Sequence, residues 1–262
     1  MMKWTAQPDW WKTLFDEIYL LTDSRSVCNP EVTRPEIEVV SEILELEPEK
    51  QIMDLCRGHG RHSLDLCRRG HRFITLLDYS WPLLKRARSE ADALEHPLRI
   101  VQSDARCTGL SSSSFDLVLL LGNSLGYLQI ASADLEILQE CLRVLRPGGR
   151  IALDISDRGA LERSYKPLSW HESEAGIVVC REAGWRDSIL VTREMVLSKD
   201  SGLIRDKTYA MRLYTAEEIG LLLQQAGFQE LWVTPNPGTR RDGVDYGCMT
   251  HRILAVGRKP SL

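Results

Sequence analysis

An α/β fold built on a doubly wound, mostly parallel sheet is predicted by three features of this 262-residue sequence. From Gln51 onward, short apolar runs alternate with stretches of helical periodicity, the pattern of successive βαβ units. The first three runs carry or precede an aspartate, at Asp54, Asp78 and Asp104. A turn interrupted by Gly58 and Gly60 follows the first run.

Before Gln51 the pattern is helical. Trp10, Trp11, Leu14, Phe15, Ile18 and Tyr19 recur at three- and four-residue spacings, and Ile37, Val40, Ile43 and Leu44 do so again after Pro35. Residues 1–48 are therefore expected to form an N-terminal helical arm or lid. Ile52-Met53-Asp54-Leu55 then predicts the first strand, and Leu64 and Cys67 mark a helix that ends near Gly70. Phe73 to Leu77 is the second strand, followed by a helix through Leu83, Leu84 and Ala87; Ile100-Val101 is the third. Phe115 to Leu121 is the most apolar run, as expected of a central strand buried on both faces. Leu135, Leu138, Leu142 and Leu145 fall on one side of the next helix, and Pro147-Gly148-Gly149 is expected to end it before a fifth strand from Arg150 to Ile155.

Within residues 164–212 the period shifts toward two, in Ile177 to Cys180, Ile189 to Leu197 and Thr208 to Leu213, with a turn at Asp200-Ser201-Gly202. This predicts an antiparallel β insertion. Thr215 and Glu218 form a capping box that opens a helix through Ile219, Leu222, Leu223 and Ala226, closed by Gly227. Leu231 to Val233 and Ile253 to Val256 bring the sheet to seven strands. The chain thus reads as a Rossmann-like domain (49–163 and 213–262) carrying an embedded insertion (164–212) that caps a substrate.

Composition narrows the partners. With 43% hydrophobic residues the chain can build a core, which excludes disordered, collagen-like and disulfide-stapled classes. A net charge of −4 and a pI near 5.9 disfavour nucleic acid as partner. Leu117 to Leu121 is too short to cross a bilayer, and Met1 to Pro8 lacks the apolar segment of a secretion signal, so a cytoplasmic protein without membrane contact is expected. Cys28, Cys56, Cys67, Cys107, Cys141, Cys180 and Cys248 form no CxxC pair, which fits free thiols in a reducing compartment. The oligomeric state, monomer or homodimer, is left open.

Ligands of doubly wound sheets bind beyond the carboxyl ends of the strands, so Asp54, Asp78 and Asp104 are expected to converge on one crevice. Gly58 and Gly60 let the backbone approach a ligand there, and the following helix points amide N–H groups at it. Asp78 lies 24 residues beyond Asp54, near the spacing at which an acid accepts from ribose hydroxyls. A nucleoside-containing cofactor follows. The run Asp54-Leu55-Cys56-Arg57-Gly58-His59-Gly60-Arg61-His62-Ser63 lacks both the dinucleotide fingerprint and a P-loop, which sets aside a nicotinamide oxidoreductase.

This loop resembles the first motif of the class I S-adenosylmethionine-dependent methyltransferases, an acid followed by a G-x-G-x-G turn. Further similarity lies in Leu77-Asp78-Tyr79-Ser80, Ser103-Asp104-Ala105, Phe115-Asp116-Leu117-Val118 and Leu142 to Arg150, and their order and spacing carry it. The resemblance narrows to a bacterial group whose loop continues Gly60-Arg61-His62-Ser63, whose fourth strand runs into Asn123-Ser124-Leu125-Gly126-Tyr127-Leu128, and whose insertion is followed by Arg212-Leu213-Tyr214-Thr215. It implies methyl transfer from S-adenosylmethionine to a small-molecule acceptor. It further implies that Asp78 binds ribose with Tyr79 beside it, that Asp104 and Ala105 read the adenine edge, that the loop from Asp54 through Cys56 and Gly58 to Gly60 holds the methionine portion, and that Leu121-Gly122 closes over the adenosine. Tyr19 on the arm is a candidate for closing over the cofactor. Cys56 stands where the family has its first loop glycine, which predicts a negative φ at that position.

His59 and His62, or Tyr127, are the candidates for a catalytic base; Asn123 and Tyr127, after the strand that faces the sulfonium, are candidates for orienting the acceptor. Cys56, His59 and His62 have the spacing of metal ligands but lack a fourth, so no metal is expected. His171, Tyr209 and Arg212 are weighed as pocket-lining residues against strand pairing, while Arg86 to Glu90 and Arg240-Arg241-Asp242 read as solvated faces. Two rivals stay open. An RNA methyltransferase would usually show a proline-containing run after strand four, absent at Asn123-Ser124-Leu125-Gly126, and a catalytically silent binding domain would account for Cys56 and Arg57.

Overall fold

The computed structural model describes residues 4–95, 98–130, 132–173, 176–235, 237–239 and 246–261; Arg240-Arg241-Asp242 lie outside them. The arm is α1 (Trp11–Leu14), α2 (Glu17–Thr22), α3 (Ser24–Val27) and α4 (Pro30–Leu44). Its first aromatic stretch is therefore not one helix. The chain breaks at Phe15, and the Asp16 carboxylate accepts from Tyr19 N–H to start α2 afresh. α4 begins before Pro35 rather than after it, because Asn29 caps it and Pro30 occupies its first turn.

The alternating segment follows as β1 (Ile52–Leu55), α5 (Arg61–Arg68), β2 (Ile74–Asp78), α6 (Trp81–Ala93), β3 (Arg99–Gln102), β4 (Phe115–Leu120), α7 (Ala133–Val144) and β5 (Leu145–Ser156). After α8 (Arg158–Ser164) come four strands, β6 (Leu168–Glu172), β7 (Ile177–Arg186), β8 (Ile189–Ser198) and β9 (Gly202–Arg212). They pair in order as one antiparallel sheet. β6 is the strand that periodicity missed: it is an edge strand whose Leu168, Ser169 and Trp170 are exposed, so it shows no buried face to read. α9 (Ala216–Ala226), β10 (Gln229–Pro235), a 3₁₀ turn at Gly247–Met249 and β11 (Arg252–Arg258) complete the chain.

The main sheet has seven strands in the order β10-β11-β5-β4-β1-β2-β3. β5, β4, β1, β2 and β3 run parallel, and β11 is antiparallel to both β5 and β10. β4 alternates as a doubly covered strand must: Val118 and Leu120 join the core under α7 and α9, while Leu117 and Leu119 join the core under α4, α5 and α6. Pro147-Gly148-Gly149 does not separate α7 from a later strand. β5 starts at Leu145, and these residues swell out of the β4 ladder between the pairs Phe115↔Leu145 and Leu117↔Arg150. No helix among the described residues is long and apolar enough to cross a membrane.

Strand order reverses between β1 and β4, which opens a crevice at their carboxyl ends. Above it the insertion and the arm hold each other: Arg181 pairs with Asp23, Arg205 with Asp16, and His171 Nε2 lies 2.9 Å from the Thr22 carbonyl.

Candidate active site

The loop after β1 is held from below. Asp54, fully buried at the strand's end, accepts from Ser63 N–H at 3.1 Å and Ser63 Oγ at 2.6 Å, which ties β1 to α5. Burial raises its carboxyl to about 6 against the opposing pull of Arg57 and Ser63. Asp54, Gly60 and Leu121 do not line the crevice; they support the residues that do.

Cys56 has φ +57°, so the expected negative φ is wrong. Its backbone takes the left-handed turn a glycine would take, held by a 2.7 Å bond from its N–H to the Leu77 carbonyl and by Ser124 Oγ on its own carbonyl. Gly58, at φ +50°, has no room for a side chain, since a Cβ would stand 2.7 Å from Leu83 Cδ1. The Gly58 N–H donates to Asp78 Oδ2 at 2.6 Å, which joins the loop to the end of β2.

These residues border a cavity lined by Cys56, Gly58, His59, Asp78, Tyr79, Asp104, Ala105, Gly122, Tyr127 and Tyr19 of the expected site, and by Arg57 as well. Burial raises the Asp78 carboxyl; each of its oxygens accepts one backbone amide and keeps lone pairs for a ligand hydroxyl. Asp104 is gripped by the Arg106 guanidinium at 2.6 and 3.0 Å, which holds its carboxyl below the ordinary range. Trp11 stands edge-on to Tyr79 at 4.7 Å between ring centres, so the arm walls this end as well. A cavity with strand-end carboxylates, a glycine turn and largely apolar walls suits an adenosyl thioether.

Neither histidine is placed as a base toward an acceptor. His62 is fully buried outside the cavity, with Nε2 at 2.7 Å from Glu36, a carboxylate that Arg61 also binds. His59 lines the cavity, but its Nε2 meets the Val27 carbonyl at 2.9 Å; burial first, then Arg57 and Arg61, lower its pKa to about 3. It is a neutral donor. Cys56, His59 and His62 thus face separate partners and not a common point.

Asn123, at φ +65°, accepts from Ser156 N–H at 2.8 Å and latches the end of β4 to β5. Beyond it opens an inner chamber. Its walls are Trp10, Phe15 and Tyr19 from the arm, Asn123 and Tyr127 after β4, Glu194, Arg205, Tyr209 and Met211 from the insertion, and Cys248 and Met249 before β11. Trp10 lies 5.4 Å from Tyr127 and 5.7 Å from Tyr209 between ring centres, and Phe15 lies 5.4 Å from Tyr127. A chain of charges, Asp16, Arg205, Glu194, Arg181 and Asp23, buried at Arg205 and Glu194 and part-exposed at the two aspartates, backs these rings. Burial holds the Tyr127 and Tyr209 phenols well above their usual range.

Of the insertion residues weighed from sequence, Tyr209 lines this chamber, Arg212 binds Asp134 beside a separate pocket, and His171 pairs with the arm. Sequence reading passed over Trp10, Trp11 and Phe15 as site residues, although 11, 15 and 19 share one helical spacing, and missed Glu194 and Arg205. Alternation along β9 does set Arg205, Tyr209 and Met211 on one face.

A family model described as a methyltransferase domain matches residues 52–149. The protein YqeM of Bacillus subtilis is 26% identical over 187 residues, 70% of this chain and 75% of that protein. Among solved structures, an S-adenosylmethionine-dependent methyltransferase from Clostridium acetobutylicum superposes with a TM-score of 0.71 at 16% identity, covering 87% of this chain and 92% of that one. The sugar N-methyltransferase KedS8 from Streptoalloteichus sp ATCC 53650 does so with 0.66 at 18%, covering 99% and 96%. At such identities the superpositions speak for the fold. The matched residues contain the whole glycine turn and all three strand-end acids, so residues 52–149 are similar to the cofactor-binding part of S-adenosylmethionine-dependent methyltransferases.

Proposed function

We propose that this enzyme methylates a small molecule held in the inner chamber. The observation that carries the reading is the junction of the two spaces: Phe15, Tyr19, Val27, Gly122, Tyr127 and Met249 border both. The acidic chain and the likeness to KedS8, a sugar N-methyltransferase, favour a small acceptor over RNA.

In this reading 49–163 and 213–262 bind cofactor, while the arm (1–48) and the insertion (164–212) bind acceptor. Asp78 takes the ribose hydroxyls, Asp104 and the Ala105 amide the adenine edge, and the turn at Cys56–Gly58 the methionine portion, with Gly122 and Tyr19 closing over the cofactor. When bound, S-adenosylmethionine supplies a methyl group already activated on sulfur. Trp10, Phe15 and Tyr127 exclude water, and the phenols of Tyr127 and Tyr209 remain protonated donors that orient the acceptor. With His59 neutral and His62 buried, catalysis rests on alignment, worth roughly 7–11 kcal/mol in favourable systems, and suits an acceptor whose lone pair is free on entry.

The test is transfer of labelled methyl from S-adenosylmethionine into a cell extract split into ultrafiltrate, RNA and protein. Label in the ultrafiltrate is expected. Label confined to RNA or protein rejects the small acceptor.

A further inference from the structure

The polar groups left open in the inner chamber are weighted toward donors. The Trp10 indole and the Arg205 guanidinium both line it, and each is only 6% exposed. Trp10 Nε1 and Arg205 Nε have no hydrogen-bond partner among the described residues. Neither N–H can accept a bond, so each is completed only by a lone pair. A buried donor left unmade is costly, and a ligand that completes the bond is one reason a fold carries it. The acceptors nearby are already engaged. Glu194 Oε1 accepts from Arg205 and its Oε2 from Arg181, while both oxygens of Asp23 accept from Arg181. Asn123 Oδ1 accepts from Ser156 N–H, and its Nδ2 donates to the Met211 sulfur at 3.4 Å.

Within the reading that this chamber holds the methyl acceptor, we infer that the acceptor is a neutral carbonyl compound, anchored through its oxygen by the Trp10 indole N–H, with Arg205 Nε as a further donor to the same molecule. Charge sets aside the anions. Asp16, Glu194 and Asp23 are three acids against the two arginines Arg205 and Arg181, so the chain behind the rings repels a carboxylate or phosphate. An ammonium would need a carboxylate oxygen to itself, and those of Glu194 and Asp23 are held by arginines. A polyol would bring a proton with every oxygen into a site short of acceptors and bury its own donors unpaired. Trp10, Phe15, Tyr127 and Tyr209 supply aromatic walls, which suit a flat ring bearing the carbonyl. The oxygen is the anchor, and the atom to be methylated lies elsewhere on the molecule, turned to the junction at Gly122.

Three probes of one skeleton test this on the enzyme saturated with S-adenosylhomocysteine: 1-tetralone, tetralin and 1-aminotetralin, which carry at one ring position a carbonyl, no polar group and an ammonium. In calorimetric titration 1-tetralone is expected to bind about 10-fold tighter than tetralin, and 1-aminotetralin no tighter than tetralin. Trp10→Phe, which keeps a ring and loses the N–H, is expected to cut the ketone's advantage to about threefold, with binding of tetralin and S-adenosylhomocysteine unchanged. Should W10F not fold, Arg205→Lys, which keeps the charge and loses the Nε donor, is expected to shrink the same ratio. Equal affinity of ketone and hydrocarbon for wild type, a ratio unchanged in the variants, or tightest binding of the amine overturns the carbonyl assignment and leaves the chamber as the acceptor site. Binding of none of the three overturns the chamber reading itself.

Discussion

The two ends of the cavity are built in opposite ways. At the strand-end side, each acid has a partner in its own neighbourhood, Ser80 N–H on Asp78 and the Arg106 fork on Asp104, both two residues away. At the acceptor side the bonds that set the walls join residues 149 to 189 positions apart, Thr22 with His171, Asp23 with Arg181 and Asp16 with Arg205. The first end is a by-product of parallel topology and serves any member of the fold. The second exists only when arm and insertion dock, and because Phe15 and Tyr19 of the arm line both cavities the two ends share a wall.

The sharpest way to break this division is Glu194→Ala. Glu194, 2% exposed, accepts from both Arg181 and Arg205, and its loss leaves two cations buried side by side. Denaturant unfolding is expected to show about 3–5 kcal/mol less stability, with S-adenosylhomocysteine affinity of the folded enzyme kept. Unchanged stability would sink the charge chain as the hinge of the acceptor end.

Asp54 supports the glycine turn through Ser63 and is tested by pH. Its folded carboxyl titrates near 6 against an ordinary 3.8, so the native state binds more protons than the unfolded chain between those values and loses stability as pH rises through them. Wild type is expected to lose about 2–3 kcal/mol relative to Asp54→Asn between pH 4 and 7. Parallel stability curves for the two proteins would remove the raised carboxyl.

The smallest effect belongs to the strand-end side. Asp78→Ala is expected to weaken S-adenosylhomocysteine by about 1–3 kcal/mol in calorimetry while leaving the unfolding midpoint near that of wild type. A dissociation constant equal to wild type would take Asp78 off the ribose.

Much of this was legible in the order of residues. The most apolar run, Phe115 to Leu121, announced the central strand; Thr215 and Glu218 form the capping box they predicted, with both bonds present; and aspartates at strand ends marked the crevice edge. Such signals are local, because strand alternation, helix period and caps arise within a few residues of one another. What only the tertiary structure decided is where competing side chains go. Cys56 accepts a left-handed turn because Leu77 and Ser124 bind its backbone, His62 is spent on Glu36, Arg57 is walled in against Gly122, and five aromatic rings from three distant segments make one chamber. Each outcome turns on burial beside residues far along the chain, and desolvation, which sets those energies, leaves no trace in local periodicity.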